Sequence, residues 1–79
     1  MRIPRDLTGD ELAKLLHKLG YIQTRQVGSH LRLTTQAYGT HHITIPRHDP
    51  LKVGTLSGIL HDVAVHFGKT REELLLELF

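Results

Sequence analysis

The chain has 79 residues, ten Lys plus Arg against eight Asp plus Glu, a formal charge of +2 and no cysteine. Its length suits one domain over residues 1–79 with a small core, and without thiols a disulfide framework and a cysteine zinc site are excluded. Hydrophobic residues at 39% and charged residues at 23% fit a soluble globular chain.

No apolar run reaches the length of a membrane span, and Met1-Arg2-Ile3-Pro4-Arg5-Asp6 has no apolar signal core behind it. The expected compartment is the cytoplasm, with no membrane contact. Thr8-Gly9-Asp10-Glu11 has the spacing of a capping box, in which the Thr8 hydroxyl accepts from the Glu11 amide and Glu11 reaches back. Leu12, Leu15, Leu16 and Leu19 follow as one apolar helical stripe, and Gly20 stands where a left-handed residue closes a helix. Tyr21 to Gln26 reads as a first strand and Ser29 to Thr34 as a second. Val27-Gly28 between them reads as a two-residue turn, which sets Gln26 opposite Ser29 and Arg25 opposite His30. His41 to Ile45 is the third strand, stopped by Pro46.

Side chains alternate between the faces of a strand. Burying Ile22, Leu31, Leu33, Ile43 and Ile45 therefore leaves Tyr21, Gln23, Arg25, His30, Arg32, Thr34, His42 and Thr44 on an open face. After a loop from Arg47 to Gly54, Thr55 is the expected N-cap of a helix carrying Leu56, Ile59, Leu60, Val63 and Phe67. Gly58 interrupts that helix and Gly68 ends it. Thr70-Arg71-Glu72-Glu73 is a second capping box, opening a short helix whose Leu74, Leu75 and Leu78 cover the domain. The order α-β-β-β-α plus a terminal helix predicts an α+β fold, a three-stranded antiparallel sheet with helices on one face.

Residues 21–48 hold three arginines, four histidines and no acid, which makes the open face either phosphate-facing or simply a solvated basic surface. His30 lies there between Arg25 and Arg32. An imidazole exchanges protons near neutrality, and two fixed cations beside it suit an anionic substrate. Lys52, Gly54 and Thr55 form a second candidate. Gly54 lets backbone approach closely, and free amides at a helix start bind phosphate, the alternative being an ordinary capped helix. Seven histidines raise the question of a metal, but His41 and His42 point to opposite faces and His61 and His66 are five residues apart. Neither a metal nor a cofactor is expected.

Four stretches, in order, resemble the HicA toxin family, small endoribonucleases of bacterial toxin–antitoxin modules. An amphipathic helix leads into Gly20-Tyr21. Arg25-Gln26-Val27-Gly28-Ser29-His30 is similar to the family's arginine-glutamine-x-glycine-serine-histidine turn. Ile45-Pro46-Arg47-His48 is similar to its proline-x-histidine strand end, and Lys52-Val53-Gly54-Thr55-Leu56 to its lysine-x-glycine-threonine-leucine helix start. The stretch His61 to Phe67 is longer than the corresponding part of many members, and Gly58 stands where a polar helix former is usual.

The resemblance implies a double-stranded-RNA-binding-like fold, cleavage of messenger RNA, and a HicB-type antitoxin that covers the active surface. It also implies that His30 is needed for activity. Candidate RNA contacts are Arg25, Gly28, Ser29, Arg32, Arg47, His48, Lys52, Gly54 and Thr55. RNA is cut without metal when a base takes the proton of the 2′-hydroxyl and a cation steadies the phosphate in the transition state. His30 suits the first role and Arg25 or Arg32 the second. A lone base predicts a slow enzyme unless His42 or His48 donates the second proton. Two other readings stay open: a non-catalytic RNA-binding module, and a protein-interaction domain whose open face serves an antitoxin.

Overall fold

The computed structural model describes residues 4–79, so the start of the Met1–Asp6 segment lies outside the described residues. Helix α1 spans Gly9–Leu16 and continues into a 3-10 turn, His17–Leu19. Strands β1 (Ile22–Val27), β2 (His30–Thr35) and β3 (His41–Pro46) follow, then helices α2 (Val53–Phe67) and α3 (Arg71–Leu78). The sheet is antiparallel with strand order β1-β2-β3. It is the expected α+β arrangement, with one sheet face left open.

Both capping boxes close as their spacing requires. Thr8 Oγ1 accepts from the Glu11 amide at 3.1 Å while the Glu11 carboxylate accepts from the Thr8 amide at 2.9 Å. Thr70 and Glu73 repeat the exchange at 3.1 and 2.8 Å. Each box satisfies two amides that a helix start leaves without partners. The core lies between the helices and one face of the sheet. Leu12, Leu16 and Leu19 meet Leu33, Ile43 and Ile45, and Leu56, Leu60, Val63, Leu74, Leu75 and Leu78 complete it.

Three local expectations are corrected. The hairpin turn is Gly28-Ser29, not Val27-Gly28: Val27 pairs with His30, and Gly28 takes φ +58°. Tyr21 is fully buried, Gln23 pairs with Leu33 on the core side and Ile22 is 56% exposed, the reverse of the expected facing for all three. The reason is an irregularity in β1, where Gln23 pairs with Leu33 and Arg25 with the adjacent Arg32, leaving Thr24 as an extra residue. Such a bulge switches which face the following residues occupy. Lastly, the N-cap of α2 is Lys52 in extended conformation, so Thr55 lies inside the first turn.

Tyr21 anchors the junction of the sheet and α2. Its hydroxyl is 2.7 Å from His41 Nδ1, and its ring meets Phe67 edge-on. His41 stacks on His66 with centroids 4.4 Å apart. The Nε2 of His66 lies 2.8 Å from the Ala37 carbonyl, which only accepts, so that nitrogen carries the proton. Burial, helped by Asp62, pushes the Tyr21 hydroxyl up to about 12. Burial also lowers the His41 pKa; His66 and His42 add to the effect and Asp62 opposes it.

Gly9 marks where α1 meets the sheet. Its amide donates to the His48 carbonyl at 3.0 Å, and a Cβ there would run into the Pro46 carbonyl oxygen. Gly58, by contrast, is exposed on α2 with open space where a Cβ would stand. Gly9→Ala should cost about 1–3 kcal/mol through overpacking, whereas Gly58→Ala should add roughly 0.5–1 kcal/mol. Chemical denaturation of the two variants checks both signs.

His41 supplies a pH test. Because its folded pKa is lowered from the ordinary 6.5, the unfolded chain binds the proton more readily. Stability from this group is full above that value and falls as the pH drops through it. Thermal midpoints measured from about pH 7 to about pH 5.5 should therefore fall, and less steeply in His41→Asn. Equal slopes would remove His41 as the cause.

Candidate active site

Paired residues of an antiparallel sheet share a face, so the register sorts the open face into three rows. Val27, His30 and Pro46 form the row at the hairpin end. Arg25, Arg32 and Thr44 form the middle row. Ile22, Thr34 and His42 form the third, with the extra residue Thr24 leaning into it.

The third row is tied together by side chains. Thr34 Oγ1 lies 3.0 Å from Thr24 Oγ1 and 2.8 Å from His42 Nδ1, so one hydroxyl links all three strands. The Thr24 hydroxyl is also 3.3 Å from the Arg32 carbonyl, which holds the bulge in place. Thr34 is only 7% exposed, the one polar residue of this face that its neighbours cover.

The middle row is electrostatically costly. Arg25 and Arg32 are directly opposed and both exposed, and like charges in that relation repel. Among the described residues no carboxylate forms a salt bridge with either. None can come from the sheet, since residues 21–48 contain no acid. An anion docking over this row would relieve the repulsion.

His30 is exposed at the end of β2, next to that pair. Its cross-strand neighbours are Val27 and Pro46, not Arg25 as the shifted turn implies. Arg32 is two residues along the same strand, about 6.6 Å by the strand rise, and Arg25 sits diagonally across. The structure thus brings His30, Arg25 and Arg32 together on one face. The turn residues Gly28 and Ser29 adjoin them, and the Ser29 carbonyl accepts from the Arg47 amide at 2.7 Å.

The remaining candidates lie elsewhere. The Arg47 guanidinium turns to the helix side and makes two 3.1 Å hydrogen bonds to the Asp10 carboxylate. His48 is in the following loop, where its carbonyl serves Gly9. Lys52, Gly54 and Thr55 open α2. Among the described residues no side chain caps that helix start and no partner meets the amides before Leu56, whose own amide makes the first helical bond, to the Lys52 carbonyl at 2.9 Å. His42, a candidate proton donor, sits four positions along the sheet from the His30 row, about 13 Å away, with Nδ1 engaged by Thr34. His41 leaves this face for the Tyr21 cluster. Among the described residues no group of three His, Cys, Asp or Glu side chains could hold a metal. No described helix is long and apolar enough to cross a membrane.

The Thr24–Thr34–His42 row escaped sequence reading, because only the bulge brings Thr24 onto this face. No curated protein and no solved structure matches the chain. A family model described as HicA toxin of bacterial toxin-antitoxin matches residues 9–65, from the first turn of α1 through the sheet and most of α2. The matched stretch contains His30, the opposed arginines and the α2 start: the chain belongs to the HicA toxin family and is the toxin of a bacterial toxin–antitoxin pair.

Proposed function

We propose that this toxin is a metal-independent endoribonuclease that cleaves messenger RNA, with His30 as general base. The observation that carries the reading is the Arg25–Arg32 pair beside His30 on an open face without acids. A phosphodiester set over the two guanidinium groups offsets their mutual repulsion and gains charge-assisted hydrogen bonds. His30, one row away, takes the proton of the adjacent 2′-hydroxyl. The 2′-oxygen attacks phosphorus, a 2′,3′-cyclic phosphate forms, and the 5′-oxygen leaves. The arginines hold the extra negative charge of the transition state.

The leaving oxygen also needs a proton. The His30 row offers only Val27 and Pro46, so water supplies that proton and turnover is slow. The free amides at the start of α2, with Lys52 beside them, hold a neighbouring phosphate without reading its base. The antitoxin is a HicB-type protein that inhibits by covering the open face.

His30→Ala should lower RNA cleavage by about 10²- to 10⁴-fold while leaving RNA affinity nearly unchanged. Expression of both proteins, with growth and intact messenger RNA followed together, gives the same test in cells. If the variant arrests growth and removes RNA as the wild type does, His30 is not the base. If neither protein cleaves RNA but both bind it, the fold serves as a binding module.

Arg25→Thr separates charge from chemistry. Removing one member of the opposed pair should raise folding stability by about 0.2–1 kcal/mol and weaken RNA binding, with the salt slope reduced by about one. A variant that binds RNA with unchanged salt dependence would remove the middle row from the phosphate path.

A further inference from the structure

The sheet has a second opening, on the side that faces the helices. Past the bulge, Gln26 pairs with Leu31, and before it Gln23 pairs with Leu33, so both glutamines lie on the core side. Apolar residues there would have completed the core, yet the two amides are exposed. They form one wall of a cleft of about 400 Å³. The opposite wall is a single stripe, Asp10, Ala13 and Lys14 of α1 with His17 of the 3-10 turn that continues it, at helical spacing and distinct from the buried leucine stripe. Leu31 and Leu33 are the floor. Asp10 is held by Arg47, and the Lys14 ammonium, one turn from Glu11, lies at the mouth with His17 beside it.

We propose that this cleft is a base-reading subsite for a single-stranded nucleotide next to the scissile phosphate. The inference rests on the ribonuclease reading above and names what that enzyme recognises. An unpaired glutamine amide offers a donor and an acceptor side by side, which matches the edge of a base. Gln23 has no hydrogen-bond partner among the described residues, and Gln26 makes only a 3.4 Å contact to the Gly28 carbonyl. The leucine floor suits a flat ring, and Lys14 with His17 suits the phosphate attached to it.

Chain geometry links the two sites. Arg25 and Gln26 are consecutive residues on opposite faces of β1, and β1 is an edge strand of the sheet. A single RNA strand that leaves its phosphate on Arg25 and Arg32 passes round the free edge of β1 and places the next base in the cleft. A duplex is too wide and stiff to turn that edge. Splayed, unpaired bases are also the usual object of sequence-specific RNA recognition. The toxin therefore cuts single-stranded RNA and prefers one base beside the cut.

The test uses the full-length chain and its Gln23→Ala/Gln26→Ala variant, both checked for an unchanged thermal midpoint. Cleavage sites are mapped on an unstructured RNA pool and on the same sequences annealed to complements. The wild type should show a base preference beside the cut and little cleavage of duplex. In the variant that preference should shrink by about 10- to 100-fold. Separately, the His30→Ala chain is titrated with AMP, GMP, CMP and UMP by NMR. The preferred nucleotide should shift the Gln23 and Gln26 side-chain amides and the α1 amides near Lys14.

An unchanged preference in the variant, equal cutting of duplex, or nucleotide shifts confined to the open face would each overturn the subsite while leaving the ribonuclease in place. If the wild type cuts no RNA, the ribonuclease reading falls. The titration then still decides whether the cleft holds a nucleotide.

Discussion

The extra residue at Thr24 is the constraint on which both faces of the sheet depend. Strict alternation from a buried Tyr21 would send Gln23 and Arg25 to the core side together. The bulge inserts one step, so Gln23 faces the helices and Arg25 faces out. Tyr21 can then fill the junction with α2 while Arg25 still aligns with Arg32. Without the bulge the fold would have to choose between a packed tyrosine and a paired guanidinium. Thr24 stabilises the irregularity through its contacts to Thr34 Oγ1 and the Arg32 carbonyl.

Features set by near neighbours in the chain were legible in the sequence. Both capping boxes formed because each needs only a threonine and a glutamate three residues apart. The leucine stripes of α1 and α3 were equally plain, since helical spacing alone decides their side. The burial pattern of β2 and β3 followed from alternation except at Thr34, which sits on the open face as expected but is covered by Thr24 and His42. His30, Arg25 and Arg32 were correctly placed on one exposed face, although their relative register was not.

What failed was set by pairing across strands. Gly28-Ser29 is a turn pair in its own right, with glycine first at positive φ and a non-glycine residue after it. Reading the turn one residue early gave Arg25 the wrong partner, and assuming unbroken alternation reversed Tyr21 and Ile22. A bulge leaves no strong mark in one sequence, because two residues opposite one is a property of the ladder. Thr55 misled for a similar reason. A threonine before an apolar run looks like a cap, but buried Leu51 anchors the chain earlier and starts α2 from Lys52.

Strand β1 concentrates the consequences. All six of its residues are exposed, its outer edge is unpaired, and it carries one arginine of a repelling pair. None of that favours stability, and the core elsewhere must offset it: α3 adds three leucines at 2% exposure or less, and the Tyr21–His41–His66 cluster ties β3 to α2. The hairpin is held by few buried contacts, so local opening should begin there and not in the helices. A strand with two solvated faces is poorly suited to packing and well suited to being gripped from both sides. Any molecule that covers β1 meets six exposed side chains and a row of unpaired backbone groups on one edge.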